Sequence, residues 1–169
     1  KKIRKILFDP KNVNFDAKTE LLLYAADRVR DVKENIKPAL QEGKFVLADR
    51  FLDSTIAYQG YGRRLDLKMV ERINRWVIED CWPDLTFIFD IEVKEGLKRA
   101  RKISGSRGDR LEQDVLDFHQ RVRKGFLERA TGNGRYVVLD AAGEEKELHE
   151  KIIRIIKERL LNEHSKERE

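Results

Sequence analysis

FVLAD at residues 45–49, TFIFD at 86–90 and YVVLD at 136–140 are nearly continuous apolar runs, each closed by an aspartate. Runs of that kind, apolar at every position rather than every second one, are the pattern of strands buried on both faces of a parallel sheet. Helical periodicity fills the intervals. The spacing predicts a helix capped by Thr19 and running towards Gly43, with Leu22, Tyr24, Ala25, Val29, Val32 and Ile36 facing the core or a ligand, and a kink or restart at Pro38. A second helix starts from a cap at Asp66 and passes Val70, Ile73 and Val77. Others cover roughly 93–101, 113–130 and 144–161. KKIRKIL at the start reads as two helical turns ended by Asp9 and Pro10. Strands alternating with helices over short connections predict an α/β fold, a parallel sheet flanked by helices on both faces.

In open parallel sheets the ligand crevice lies at the carboxyl ends of the strands, so Asp49, Asp90 and Asp140 are candidates for a site. Each is equally an ordinary strand stop, since Asp opens turns. Composition bounds the rest. With 169 residues, 40% apolar and 40% charged, the chain suits one globular domain, taken here as 1–161 with a polar tail at 162–169. No run approaches the length of a membrane span, and the first residues carry no secretory signal. Cys81 is the only cysteine, which excludes an internal disulfide and a thiolate metal cluster. Cytoplasmic residence is the default. Thirty-six Lys and Arg against 31 Asp and Glu give a net charge of +5, suited to phosphate-bearing small molecules at least as well as to nucleic acid.

Three segments carry chemistry. In TELLLYAADRVRD, Tyr24 and Arg28 stand four apart on one helical face, a ring and a guanidinium that could cradle a planar base; an ordinary amphipathic helix with a paired Arg28 explains the pattern too. In ADRFLDSTIAYQGYGR, Asp49 and Arg50 open the crevice, and Ser54, Thr55, Tyr58 and Gln59 add hydroxyls and an amide before Gly60 and Gly62 let the chain turn away. Such a run of polar groups is poor core material. In LKRARKISGSRGDRLEQ, the cations Lys98, Arg99, Arg101, Lys102, Arg107 and Arg110 surround small residues, as in a lid that closes over a polyphosphate. A solvated charge run or a nucleic-acid patch is the alternative, although the stretch lacks aromatic residues for stacking.

Taken in order, these segments resemble thymidylate kinase over nearly the whole chain, most specifically in DRFLDSTIAYQGYGR and next in TELLLYAADR, with a basic lid like that of the bacterial forms. The resemblance implies a five-stranded parallel sheet of the P-loop nucleoside monophosphate kinase type. It implies transfer of the γ-phosphoryl of ATP to dTMP with magnesium, in dTTP biosynthesis, by a cytoplasmic homodimer with dTMP and ATP as its small-molecule partners. By position, Tyr24 matches the aromatic that stacks on thymine, where phenylalanine is commoner, and Arg28 the arginine on the base carbonyl. Arg50 matches the arginine on the dTMP phosphate and Asp49 its acidic neighbour near magnesium. Thr55 and Gln59 match polar base contacts, with Ser54 beside them, and Tyr58 the ring under the deoxyribose. Arg101 and Arg107 are the lid candidates for transition-state charge, and Arg99 joins them as a candidate for the ATP phosphates, within a lid at about 101–110.

The family's Gly-rich phosphate loop, its strand and an Arg-Glu-Pro-Gly-Gly turn do not occur in the 169 residues. Catalysis therefore presumes a phosphate loop in the full protein, and a fragment is expected. The alternatives are a kinase for another deoxynucleoside monophosphate, or a non-catalytic nucleotide- or nucleic-acid-binding domain. Asp80-Cys81-Trp82 replaces a glycine-containing turn; Cys81 reads as structural and Trp82 as packing or interface. His119, His149 and His164 fall at helix-surface positions with no ligand spacing, so no metal site made of side chains is expected.

Overall fold

In a computed structural model, residues 2–9, 15–104 and 116–161 are described. The element order is α1 (Lys2–Phe8), α2 (Ala17–Asp31), a π-helical turn (Val32–Ile36), α3 (Lys37–Gln41), α4 (Leu52–Thr55), a π-helical segment (Ile56–Gly62) and α5 (Leu67–Ile78). It continues with β1 (Thr86–Asp90), α6 (Val93–Ser104), α7 (Leu116–Ala130), β2 (Tyr136–Asp140), α8 (Glu145–Ile156) and a last π-helical turn (Lys157–Leu161).

TFIFD and YVVLD form the parallel pair that their apolar runs predict, aligned from Thr86 opposite Tyr136 to Asp90 opposite Asp140. Ile88 and Leu139 are buried while Phe89 and Val138 are partly exposed. The third run departs from expectation. Residues 45–49 form no strand, and Phe45 and Leu47 are 69% and 95% exposed. A strand exists only where a neighbour takes its backbone bonds, and among the described residues none lies alongside this segment. Two of the three terminal aspartates are spent locally. Both Asp90 oxygens accept from Arg123, at 2.7 and 2.9 Å, and Asp140 Oδ1 accepts the Ala142 N–H at 2.8 Å in the turn that follows.

Asp16, not Thr19, caps α2: its Oδ1 accepts from the N–H groups of Lys18 and Thr19, while Oδ2 accepts the Thr19 hydroxyl. The expected inward face holds at Ala25, Val32 and Ile36 but not at Leu22 or Val29, which are exposed. Leu21 is buried in place of Leu22. The restart expected at Pro38 takes the form of a π turn, in which the Lys37 N–H reaches back to the Val32 carbonyl. A widened turn relieves the clash between the proline ring and the carbonyl four residues earlier. Asp66 caps α5 as expected, its Oδ1 accepting the Met69 N–H at 2.7 Å.

The segment Ile56–Gly62 lies between two cores. On one side Leu52 and Ile56 pack with Leu21, Val32, Ile36, Val70, Val77, Ile78 and Cys81. On the other, Ala57 packs with Phe118 and Val122 of α7, with Tyr58 and Phe126 at the margin. Gly60 and Gly62 are packing residues here rather than turn residues. A Cβ on Gly62 would stand 2.6 Å from the Phe118 ring and 2.9 Å from Val122, and Arg121 clamps the Gly62 carbonyl with two N–H groups at 2.9 and 3.1 Å. The chain turns instead at Arg64, whose φ is 60°. His119 sits half-buried with its ring edge-on to Phe118 rather than at the surface; His149 is exposed, and His164 lies outside the described residues.

Candidate active site

The polar residues of α2 and of the stretch that follows residue 48 open onto one cavity of about 320 Å³. Tyr24, Arg28, Asp49, Arg50, Ser54, Thr55, Tyr58 and Gln59 all line it, joined by Phe51, Arg4, Asp27 and Asp31. The face shared by Tyr24 and Arg28 is thus a cavity wall and not a solvated stripe. Burial pushes the Arg28 guanidinium down to about 10, with Asp53, Asp31 and Asp27 opposing the shift. That value is still far above neutral pH, so Arg28 stands in the cavity as a cation. Its Nη2 donates to Thr55 Oγ1 at 3.1 Å, its plane lies 4.9 Å from the centre of the Phe51 ring, and its buried Nε has no partner among the described residues. A preoriented donor in a half-dry cavity is suited to a ligand carbonyl.

Across the cavity Arg50 adopts a left-handed backbone, φ 68°, which a bulky residue takes only where its surroundings impose it. The turn sets its exposed guanidinium 5.1 Å above the Tyr58 ring, and Tyr58 is itself held edge-on by Phe118 and Phe126. A forked cation on a rigid aromatic support is a natural receiver for a phosphate. Asp49, exposed beside it, adds carboxylate oxygens at the same rim.

Several residues that position this wall escaped the sequence reading. Asp53 is 4% exposed and accepts from Tyr136 Oη at 2.6 Å and Arg135 Nη2 at 3.0 Å, tying α4 to the start of β2. Burial, and then the bond to Asp53, raise the Tyr136 phenol above its ordinary value. Asn74 donates to the Leu52 carbonyl at 3.0 Å from α5. Arg4 of α1 pairs with Asp27 at 2.9 Å on the rim. Glu20 is wholly buried and accepts from Gln59 Nε2 at 2.5 Å. Both acids lie inside the quoted runs, Glu20 in TELLLYAADRVRD and Asp53 in ADRFLDSTIAYQGYGR, but an acid in the first turn of a helix is ordinary and marks neither.

The lid candidates stand elsewhere. Arg101 is exposed near the end of α6, and Arg107 and Arg110 lie outside the described residues, as does most of the expected lid. Arg99 does not line the cavity; it donates to Glu95 and to the carbonyls of Ala141 and Ala142 just after β2. Cys81 is buried, and burial pushes its thiol up, away from the reactive thiolate.

A family model for thymidylate kinase matches residues 1–152. The chain belongs to the thymidylate kinase family. It is 53% identical over 158 residues to the thymidylate kinase of Halothermothrix orenii, covering 93% of this chain and 75% of that protein. The thymidylate kinase of Bacillus pumilus is 43% identical over 159 residues, covering 94% and 75%. In shape the chain is similar to the crystal structure of thymidylate kinase from Ehrlichia chaffeensis, with a TM-score of 0.68 at 33% identity over 85% of this chain and 67% of that one. Membership assigns a P-loop nucleoside monophosphate kinase fold and makes the chain a phosphotransferase. The reaction of the family is phosphorylation of dTMP, with ATP as co-substrate, and the reading as a non-catalytic binding domain is not favoured. No helix among the described residues is long and apolar enough to cross a membrane.

Proposed function

We propose that the 320 Å³ cavity is the dTMP pocket of this thymidylate kinase, with its residues divided by the part of the nucleotide each meets. Tyr24 stacks on the base, Arg28 donates to a base carbonyl, and Ser54, Thr55 and Gln59 supply further polar contacts. Tyr58 lies beneath the deoxyribose and carries Arg50, which grips the phosphate. The observation that carries this reading is the convergence in one cavity of all seven side chains expected on the dTMP side.

The reaction asks for little covalent chemistry. An ionised oxygen of the dTMP phosphate attacks the γ-phosphorus of ATP; an oxygen–phosphorus bond forms as the bond to the β-phosphate oxygen breaks, and the electron pair leaves with ADP. Arg50 orients the attacking phosphate and offsets its charge, while Arg101 and Arg107, in a lid at about 101–110, neutralise charge that develops in transfer and exclude water. Of the two α6 arginines proposed for ATP, Arg101 is the freer, since Arg99 is engaged with backbone carbonyls. Among the described residues no three His, Cys, Asp or Glu side chains stand together as a cage for an ion. Magnesium takes most of its ligands from phosphate and water, and Asp49, exposed at the rim beside Arg50, would be the protein's contact to it. When bound, magnesium supplies charge neutralisation on the phosphates. We also read the enzyme as a cytoplasmic homodimer, supported by its single cysteine and by Trp76, 79% exposed on α5.

The test compares Arg50→Ala with Arg107→Ala. Loss of charge-assisted bonds worth about 1.5–3 kcal/mol predicts that Arg50→Ala weakens dTMP binding by roughly 10- to 100-fold and cuts turnover as well. Arg107→Ala lowers kcat with dTMP affinity intact. Unchanged dTMP affinity in Arg50→Ala would overturn the assignment.

A further inference from the structure

We infer that Glu20 is a positioning residue for base selectivity, acting through the amide of Gln59. Gln59 lines the cavity yet is only 2% exposed, and its Nε2 donates to Glu20 Oε1 at 2.5 Å. The two ends of a glutamine amide are nearly equal in shape and opposite in hydrogen-bonding character, so an isolated glutamine reads a donor or an acceptor by turning over. A carboxylate removes that freedom, because it only accepts. With Glu20 fully buried on one side, the nitrogen must face it, and Oε1 becomes the atom that Gln59 turns to a ligand.

The carboxylate is itself held. Arg63 Nη2 stands 3.5 Å from Glu20 Oε2, and the Arg63 guanidinium lies 4.4 Å from the centre of the Phe118 ring. This cation offsets the buried charge and is braced by α7, so the acceptor that orders Gln59 is fixed by a helix on the far side of the segment. A fixed amide oxygen accepts from the N3–H of thymine or uracil. It meets the lone pair of cytosine N3 as acceptor against acceptor, leaving both unsatisfied. Selectivity by repulsion of the wrong base therefore depends on a residue with no place in the cavity lining.

This inference rests on the cavity being the dTMP pocket, and the experiment separates the two. Values of kcat/KM for dTMP and dCMP are measured for the full chain, Glu20→Gln and Gln59→Met, alongside dTMP and N3-methyl-dTMP affinities for the unaltered protein. In Glu20→Gln the new amide can itself turn over, freeing Gln59 to present its nitrogen, so the dTMP-to-dCMP ratio should fall at least tenfold. General loosening of the fold would lower both values and leave the ratio unmoved. N3-methylation, which removes the donor, should weaken binding at least tenfold with no variant needed. If Gln59→Met shifts the ratio but Glu20→Gln does not, the role of Glu20 is refuted while the pocket stands. If neither shifts it, or the N3-methyl nucleotide binds as well as dTMP, the reading of Gln59 as a base contact falls too.

Discussion

Replacing Arg28 by methionine should weaken dTMP binding and leave the fold as stable as before, or more so. The guanidinium sits in the cavity wall, where burial lowers its pKa from the ordinary arginine value to about 10. A shift of that size corresponds to about 3 kcal/mol of preference for the solvated cation over the buried one. Against this the side chain gains one hydrogen bond to Thr55 at 3.1 Å and one cation–π contact with Phe51 at 4.9 Å. Each is worth about 1 kcal/mol. Methionine fills similar volume, keeps a contact with Phe51 and removes the charge, so the free protein should be stabilised by about 1 kcal/mol or remain unchanged. The bound state moves the other way. A charged donor to a base carbonyl contributes about 1.5–3 kcal/mol, which sets the expected rise in the dTMP Kd at roughly 10- to 100-fold. Calorimetric titration with dTMP and thermal denaturation of the free protein measure the two quantities separately. A Kd within threefold of the parent, or a Tm lowered by several degrees, would refute the view of Arg28 as a cation held for a ligand at a cost to the fold.

Gly62→Ala places a Cβ 2.6 Å from the Phe118 ring and 2.9 Å from Val122, so overpacking should cost about 1–3 kcal/mol in urea denaturation. The Arg123 guanidinium holds the Asp90 carboxyl below its ordinary value of 3.8, so the pair stabilises the folded state above that value and ceases to do so as pH falls through the lower folded value. Because both partners are partly exposed, Asp90→Asn should cost about 0.5–1 kcal/mol at pH 7 and almost nothing near pH 2, as followed by denaturation across that range.

Where side-chain chemistry and local pattern agreed, the sequence was a sufficient guide. TFIFD and YVVLD pair as expected because each run finds its partner within the chain, and the cap at Asp66 needs only its own first turn. FVLAD has the same pattern but no partner among the described residues, and a strand is a property of a pair. The α2 cap was misplaced for a different reason. Asp16 and Thr19 are both good capping residues three apart, and only geometry shows that the aspartate accepts while the threonine donates to it. In the site, donors facing the cavity were legible as polar residues in an apolar setting. The residues behind them were not. Glu20 and Asp53 meet partners 39 and 83 residues away, and nothing in their neighbourhoods distinguishes them from ordinary helix-start acids. Gly62 was misread because turns and close packing call for the same residue.

The bond between Asp53 and Tyr136 has a consequence for how this protein comes to be made. It joins the wall of the pocket to a strand encountered 83 residues later in the chain. Closing so long a loop is entropically slow, and its reward arrives only once β1, α7 and β2 have assembled. A nascent chain can therefore wind α2 and α5 early, but the wall of its cavity stays unanchored until β2 leaves the ribosome.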